Sequence, residues 1–309
     1  MGKLVVVIVG PTCSGKSSLS LQLARELNTE IISADSRQIY KSIDIGTAKP
    51  SKSELSEIHH TFINSIDLDE DFDVSTYEKQ ALAKVDNLLS KNKIPIVTGG
   101  SGLYIKALID GIVDIPTDKD LRKELLLKKA KYGIEFLYEE LVKVDVASAK
   151  TMLPQNWKRV MRALEVFSLT QKSITQFHLD QDRERPEYNF QQFGLNWDRE
   201  LLYQRIEKRV DDMITNGLVE EVKSILANGY SEALNSLNSV GYKEIIAHLK
   251  NEISLETSVS LIKRNTRRYA KRQMTWFVKD KRIHWFDVKN ELDLVKIKNE
   301  ILTQMSGLA

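Results

Sequence analysis

The stretch Gly10-Pro11-Thr12-Cys13-Ser14-Gly15-Lys16-Ser17 decides the fold, because it matches the phosphate-loop pattern GxxxxGK[ST]. It follows residues 4–9, a continuous apolar and mostly β-branched run that is typical of a strand buried on both faces of a parallel sheet. Leucines at helical spacing come after it, at Leu19, Leu23 and Leu27. The sequence therefore predicts a strand, a glycine-bounded loop and a helix, which is the structural context that the motif requires.

Two later segments repeat the short apolar strand. Residues 30–34 and 94–98 end respectively in Asp35-Ser36-Arg37-Gln38 and Gly99-Gly100-Ser101-Gly102. The alternation of strands and helices predicts an α/β fold with a doubly wound, mainly parallel sheet around the P-loop. Ligands of such sheets bind beyond the carboxyl ends of the strands, so we expect the three loops to converge on one site.

The character of the sequence changes near Asp118. Leucine-rich, charged helical patterns follow, and no glycine occurs between Gly133 and Gly194. Strand-like residues return at 190–196, and long amphipathic helices are predicted at 199–227 and 255–279. We therefore expect a P-loop core formed by residues 1–117 and 190–309, with an all-helical insertion domain at 118–189.

Composition limits the partners and the compartment. The 309 residues carry 45 basic and 43 acidic side chains, so an acidic partner must be met by a local basic cluster rather than by net charge. Cys13 is the single cysteine, which excludes an internal disulfide and argues against structural zinc. The opening apolar run is too short for a signal or a membrane span. We expect a cytoplasmic monomer with no membrane partner.

The phosphate loop predicts a diphosphate receptor at residues 10–17. Its glycines let backbone N–H groups turn toward an anion at the helix N-terminus. Lys16 adds a positive charge, and the hydroxyl of Ser17 can ligate Mg²⁺. The motif does not specify the rest of the ligand.

Asp35 has two interpretations that the sequence leaves open. A carboxylate directly after the second strand faces the phosphate loop and can act as a general base, or it can cap the next helix together with Ser36. The glycine loop at 99–102 fits close approach of a ligand or a tight turn equally well. Residues 94–98 end without the second carboxylate of a hydrolytic P-loop motor, which favours group transfer from a bound diphosphate.

Two basic clusters are candidates for binding RNA. Lys158, Arg159 and Arg162 lie beside Trp157 in the predicted insertion. A longer stripe at residues 263–272 contains six cations and no acid: Lys263, Arg264, Arg267, Arg268, Lys271 and Arg272. Either cluster can track phosphates or can be a solvated helix face.

Longer blocks of sequence resemble bacterial tRNA dimethylallyltransferases, the tRNA isopentenyltransferase family. GPTCSGKS at Gly10, SADSRQIYKSIDIGTAKP at Ser33, TGGSGLYIKALIDG at Thr98 and RVMRALEVF at Arg159 occur in the family's order. VGYKE at Val240 and TRRYAKRQMTWF at Thr266 extend the resemblance through nearly the whole chain.

The resemblance implies a prenyl transfer reaction. In this family a dimethylallyl group passes from dimethylallyl diphosphate to N6 of the adenosine just 3′ of the anticodon in tRNA, with Mg²⁺ as cofactor. Asp35 matches the family's general base, and Thr12, Lys16 and Arg209 match positions implicated in catalysis. Arg205 is a near rival of Arg209, because both lie in the less distinctive stretch RIEKRVDDM.

The resemblance also implies contacts to the anticodon stem–loop, from which the base is flipped into a channel. The positions that match family tRNA contacts are Asp35, Ser36, Arg37, Gln38, Ser101, Lys123, Lys158, Arg159, Val160, Met161 and Arg162. Cys13 stands where alanine is commoner and Ser101 where threonine is commoner, and both substitutions keep the size or the hydroxyl of the position.

Three rival functions remain distinguishable by experiment. A P-loop small-molecule kinase would consume ATP, and a non-enzymatic RNA-binding protein would bind tRNA regardless of Lys16 and Asp35. An enzyme that prenylates free adenine nucleotides would accept AMP in place of tRNA.

Overall fold

A computed structural model describes residues 3–112, 117–180 and 188–307 of the chain. Six parallel strands form one sheet in the order β3-β2-β4-β1-β5-β6. The strands are β1 Lys3–Val9, β2 Ile31–Ser33, β3 His60–Thr61, β4 Ile96–Thr98, β5 Tyr188–Trp197 and β6 His284–Val288. The sheet confirms the predicted doubly wound α/β fold.

Helices connect and cover the strands. In chain order they are α1 Lys16–Glu26, α2 Lys52–Glu57, α3 Val74–Ser90, α4 Gly102–Asp110, α5 Lys119–Val144, α6 Val146–Ala149, α7 Trp157–Thr170, α8 Ile174–Asp180, α9 Arg199–Thr215, α10 Leu218–Ala227, α11 Tyr242–Leu249, α12 Leu255–Phe277 and α13 Leu292–Ser306. None of these described helices is long and apolar enough to cross a membrane.

The apolar run of β1 is buried on both faces of the sheet, as its composition predicts. Val5, Val7 and Val9 belong to one hydrophobic cluster, while Val6 and Ile8 belong to the other. Successive side chains of a strand point to opposite faces, so one strand contributes to both layers of the core. Its β-branched residues therefore anchor the centre of the sheet.

Neighbouring strands bring the three polar loops to one edge of the sheet. β4 pairs with both β1 and β2, and the three strands run parallel. Their carboxyl ends lead into the phosphate loop, into Asp35 and into the glycine loop at 99–102. The predicted convergence on one edge follows from this strand order.

Two compact units divide the chain. The core unit comprises Met1–Ile109 with Arg185–Ala309, and the insertion unit comprises Asp110–Glu184. The described part of the second unit contains helices α5 to α8 around its own core of leucine, valine and methionine side chains. The predicted insertion, residues 118–189, runs too far at its end, because Tyr188 and Asn189 already belong to β5 and pair with β1.

The helix predicted at 199–227 is two helices. α9 ends at Thr215, and α10 begins at Leu218 after Gly217, whose φ of 95° is a left-handed backbone conformation. A glycine adopts this conformation without the steric cost that other residues incur, so the chain turns there. The prediction from periodicity was wrong at this point because it gave Gly217 too little weight.

Candidate active site

The phosphate loop is a tight turn fixed by backbone conformation and by a distant side chain. Gly10 and Gly15 have φ values of 146° and 92°, and Cys13 adopts a left-handed φ of 65°. The indole Nε1 of Trp197 donates to the Ser14 carbonyl at 2.9 Å. The loop ends at Lys16, where α1 begins, so backbone N–H groups of the helix N-terminus are available for an anion.

Lys16 lies over its own loop. Its Nζ donates to the Pro11 carbonyl at 2.6 Å, so its hydrogen-bond partner is neutral. Desolvation lowers the pKa of Lys16 to about 8, and the negative charge of Asp35 opposes that shift. The pKa of the ammonium group therefore lies much closer to neutral pH than that of an ordinary lysine. A bound diphosphate would favour the charged form.

The two candidate arginines on α9 have different partners. Arg209 donates from Nη1 to Thr12 Oγ1 at 3.1 Å and to Cys13 Sγ at 3.4 Å, both uncharged groups. Arg205 donates to the Cys13 carbonyl at 3.0 Å and forms an ion pair with Glu291 at 3.1 Å. Its guanidinium also lies 4.4 Å from the centre of the Trp197 ring. The geometry favours Arg209 over Arg205 for an incoming anion.

Asp35 begins a turn and keeps one carboxylate oxygen open. Its Oδ1 accepts hydrogen bonds from the backbone N–H of Arg37 at 2.9 Å and of Gln38 at 3.3 Å. Within the described residues Oδ2 accepts no hydrogen bond, and Asp35 forms no ion pair. Asp35 therefore caps a turn and not the predicted helix, since the next helix begins at Lys52. The turn uses one carboxylate oxygen, so the role of general base stays open for the other.

The other residues predicted to contact tRNA at this end of the sheet form hydrogen bonds within the protein. Ser101 Oγ accepts from the Ser36 N–H at 3.0 Å. Arg37 donates to the Asn235 carbonyl at 2.6 Å, and Gln38 donates to the Thr47 carbonyl at 3.1 Å. The structure therefore places Ser101 and the four residues 35–38 in one hydrogen-bonded loop cluster.

Gln273 joins the phosphate loop to the glycine loop, a role that sequence analysis missed. Its Oε1 accepts from the Thr12 N–H at 2.8 Å, and its Nε2 donates to the Gly100 carbonyl at 3.0 Å. A Cβ on Gly100 would lie 2.1 Å from Gln273 Nε2, and one on Gly102 would lie 2.3 Å from Trp276. These glycines allow α12 to approach the glycine loop closely. The stretch RQMTW at residues 272–276 was the sequence signal that could have identified Gln273.

Two cavities in the core unit share a wall. The larger, about 430 Å³, is lined by the phosphate loop from Thr12 onward and by α9 side chains. The smaller, about 340 Å³, extends toward α11 and α12. Both are lined by Thr12, Asp35, Thr47, Arg209 and Tyr269. The residues predicted to be reactive thus lie between two spaces, each large enough for part of a substrate.

In the insertion unit the predicted RNA-binding residues differ in exposure. Lys158 and Arg159 are exposed on α7, and Lys123 is exposed on α5. Arg162 instead forms an ion pair at 2.8 Å with Glu165, which is 2% exposed. Val160 and Met161, predicted with them, lie in the hydrophobic core of this unit. Their side chains pack the helix and are not available to a nucleic acid.

The basic stripe on α12 is partly neutralised. Lys263 forms an ion pair with Asp211 at 2.7 Å, and Arg267 forms one with Glu207, both acids belonging to α9. Arg268, Lys271 and Arg272 line a shallow groove with the half-exposed Trp276. Two cations of the stripe therefore join helices, and the groove presents three more beside an aromatic ring.

Comparisons with known proteins identify relatives over nearly the whole chain. A family model described as IPP transferase matches residues 38–280. The tRNA dimethylallyltransferase of Halothermothrix orenii is 46% identical over 303 residues, covering 96% of this chain and 91% of the relative. That of Pelotomaculum thermopropionicum is 46% identical over 306 residues, covering 98% and 97%.

Solved structures give the same result. The full-length tRNA isopentenylpyrophosphate transferase of Bacillus halodurans superposes with a TM-score of 0.72 at 37% identity, covering 99% of this chain and 98% of that one. A eukaryotic dimethylallyltransferase captured acting on tRNA superposes with a TM-score of 0.81 at 29% identity, covering 97% and 80%. With relatives this similar over almost their full length, the chain belongs to the IPP transferase family of tRNA dimethylallyltransferases.

Proposed function

We propose that this protein transfers a dimethylallyl group from dimethylallyl diphosphate to N6 of the adenosine immediately 3′ of the anticodon in tRNA, and releases diphosphate. The observation that carries the proposal is the pair of cavities that share Thr12, Asp35 and Arg209. One cavity contains the phosphate loop and suits the donor. The other suits an adenine that enters from the opposite side.

The donor half of the reaction is the departure of diphosphate from the allylic carbon. Negative charge accumulates on the bridging oxygen as the C–O bond breaks, so cations beside the phosphate loop stabilise the transition state more than the ground state. Lys16 and Arg209 are the cations, and each is held by neutral oxygen or sulfur atoms that do not cancel its charge. Thr12 orients Arg209 through its hydroxyl.

The acceptor half requires removal of a proton from the adenine amino group. The lone pair of N6 is delocalised into the ring, so loss of the proton as the C–N bond forms lowers the barrier. Oδ2 of Asp35 is the open oxygen that accepts this proton, while Oδ1 keeps the carboxylate in position through the two turn hydrogen bonds. The prenyl carbon gains nitrogen, and the leaving diphosphate takes the bonding electron pair.

The residues also fit Mg²⁺. Ser17 lines the larger cavity with an exposed side chain, which suits a ligand that completes its coordination with phosphate oxygens and water. No group of three or more His, Cys, Asp or Glu side chains in the described chain is arranged to hold a metal, so most ligands would come from the donor. When bound, the ion neutralises diphosphate charge.

The partner in the proposal is the anticodon stem–loop. Lys158, Arg159 and Lys123 are exposed cations of the insertion unit that suit phosphate contacts. We propose a monomer acting in the cytoplasm, which agrees with a single cysteine that has no partner for an internal disulfide.

The test is direct detection of the product. Unmodified tRNA is incubated with the protein, dimethylallyl diphosphate and Mg²⁺, and its nucleosides are analysed by mass spectrometry. We expect N6-dimethylallyladenosine from tRNA and none from AMP, with no consumption of ATP. Stoichiometric ADP production would indicate a kinase, and tRNA binding without product would indicate a binding protein.

A further inference from the structure

Glu221, near the start of α10, binds a run of three backbone N–H groups. Its Oε2 accepts from Asp44 at 2.9 Å and from Ile45 at 2.8 Å, and its Oε1 accepts from Gly46 at 3.2 Å. The hydroxyl of Tyr242 donates to Oε1 at 2.5 Å. Hydrogen bonds to an ionised acceptor are among the strong ones, so four of them on one carboxylate fix this segment firmly.

Tyr242 also contributes to the anchor, by which we mean the carboxylate of Glu221 together with its four hydrogen bonds. The side chain is fully buried, and burial raises the pKa of its hydroxyl, as does the charge of Glu221. The hydroxyl therefore stays protonated and donates. A Cβ on Gly46 would lie 2.4 Å from the Tyr242 ring, so only glycine lets the segment lie against the tyrosine.

The anchored segment continues directly into the wall of both cavities. The Thr47 carbonyl accepts from Gln38 Nε2 at 3.1 Å and from Arg209 Nη2 at 3.5 Å. The Ala48 carbonyl accepts from Gln38 Nε2 at 3.2 Å. Thr47 is thus held in place by the preceding residues 44–46, which Glu221 binds. Its carbonyl in turn accepts the hydrogen bonds that orient Arg209 and Gln38.

Glu221 and Tyr242 are absent from the described lining of either cavity, so any effect on the reaction must pass through the segment they hold. We propose that Glu221, with Tyr242, is a positioning residue that sets the placement of Arg209 and Gln38 by fixing residues 44–48. The inference rests on the proposed prenyl transfer and extends it to residues that line neither cavity. A misplacement of about 1 Å in a reacting constellation can cost roughly a hundredfold in rate.

The experiment compares Glu221→Gln with Glu220→Gln. Glu220 lies beside Glu221 on α10, so its variant controls for loss of one negative charge at the start of that helix. A glutamine at 221 places an amide donor against backbone donors and breaks part of the anchor. Single-turnover rates with saturating donor and tRNA report the chemical step.

We expect Glu221→Gln to reduce the single-turnover rate by roughly tenfold or more, with donor affinity changed less than about twofold, because the phosphate loop keeps its own partners. Amide hydrogen exchange of residues 44–46 should accelerate in this variant and not in Glu220→Gln. Tyr242→Phe should act in the same direction, and its effect should be less than additive with Glu221→Gln, because both remove the same anchor.

Two results would overturn the inference. Unchanged exchange at residues 44–46 in Glu221→Gln would show that the carboxylate does not hold the segment. Faster exchange with a wild-type rate, measured well below the melting temperature, would make the anchor purely structural. Tyr242→Phe provides the same test if Glu221→Gln fails to fold. A wild-type protein that forms no prenylated tRNA would instead refute the proposed function, while the exchange measurement would still assess the anchor.

Discussion

Two cations of the cavity, Lys16 and Arg209, and two of the insertion unit, Arg122 and Arg162, carry the same formal charge but have opposite kinds of partner. Lys16 and Arg209 are bound by a carbonyl, a hydroxyl and a thiol, none of which cancels their charge. Arg122 and Arg162 are bound by the buried carboxylate of Glu165 at 2.9 and 2.8 Å. The former remain available to a diphosphate, whereas the latter share one buried carboxylate within the fold.

The carboxylates show the same contrast. Although burial opposes ionisation of Glu165, hydrogen bonds from Arg122 and Arg162 hold its pKa below the ordinary value. Asp35 forms no ion pair with a described residue and is held by backbone N–H groups through one oxygen. In this protein the charged groups proposed to act in the reaction have neutral hydrogen-bond partners, and those partners became known only from the structure.

Lys16→Ala should produce the largest loss, because it removes a positive charge that lies beside the phosphate loop and forms no ion pair in the described structure. We expect prenyl transfer to fall roughly a thousandfold. In the wild type, kcat/KM for the donor should decline as pH rises through about 8, where Lys16 loses its proton. Lys16→Arg keeps its charge at that pH and should remove this decline, whatever activity it retains. A decline that persists in Lys16→Arg would assign the titration to another group.

Asp35→Asn separates proton transfer from binding. The amide keeps size and hydrogen-bonding capacity but cannot accept the N6 proton, so the single-turnover rate should fall roughly a hundredfold. Affinity for tRNA should change much less, since most of it comes from phosphate contacts. If the rate stays near wild type while tRNA binding collapses, Asp35 serves recognition or the turn, and the proton leaves by another route.

A matched pair on α9 sharpens the comparison inside the cavity. Arg209→Ala removes a cation with neutral partners, and Arg205→Ala removes one that is already paired with Glu291. We expect Arg209→Ala to reduce the single-turnover rate about tenfold more than Arg205→Ala does. Comparable losses from the two variants, with normal melting temperatures, would show that the ion pair opens during the reaction.

The smallest effects are expected in the insertion unit. Lys158→Ala with Arg159→Ala should weaken tRNA binding and reduce the slope of log affinity against log salt by about 2, because each side chain neutralises one phosphate. Arg162→Ala should leave that slope nearly unchanged and destabilise the fold by about 1–3 kcal/mol, because it removes a partner of buried Glu165. Salt titrations and thermal melts of the two variants distinguish a phosphate contact from a structural ion pair.

Local sequence predicted those parts of the fold and site that depend on neighbouring residues. The run at 4–9 and the phosphate-loop motif predict β1, its turn and α1, because burial and glycine conformation act within a few residues. Partners far apart in sequence escaped prediction: Gln273 meets Thr12 across 261 positions, and Glu221 meets Asp44 across 177. Such contacts depend on how the helices pack around the sheet, which no local pattern encodes.

The order of strands has a consequence for synthesis on the ribosome. β1 lies between β4 and β5, yet β5 is made only after the whole of the Asp110–Glu184 unit. That unit is one continuous piece, so it is the first part of the chain able to fold completely as it emerges. The phosphate loop is translated before that unit, but it must wait for Trp197, Arg209 and Gln273. Residues of the phosphate loop, which leave the ribosome before the insertion unit, thus reach their working geometry after it.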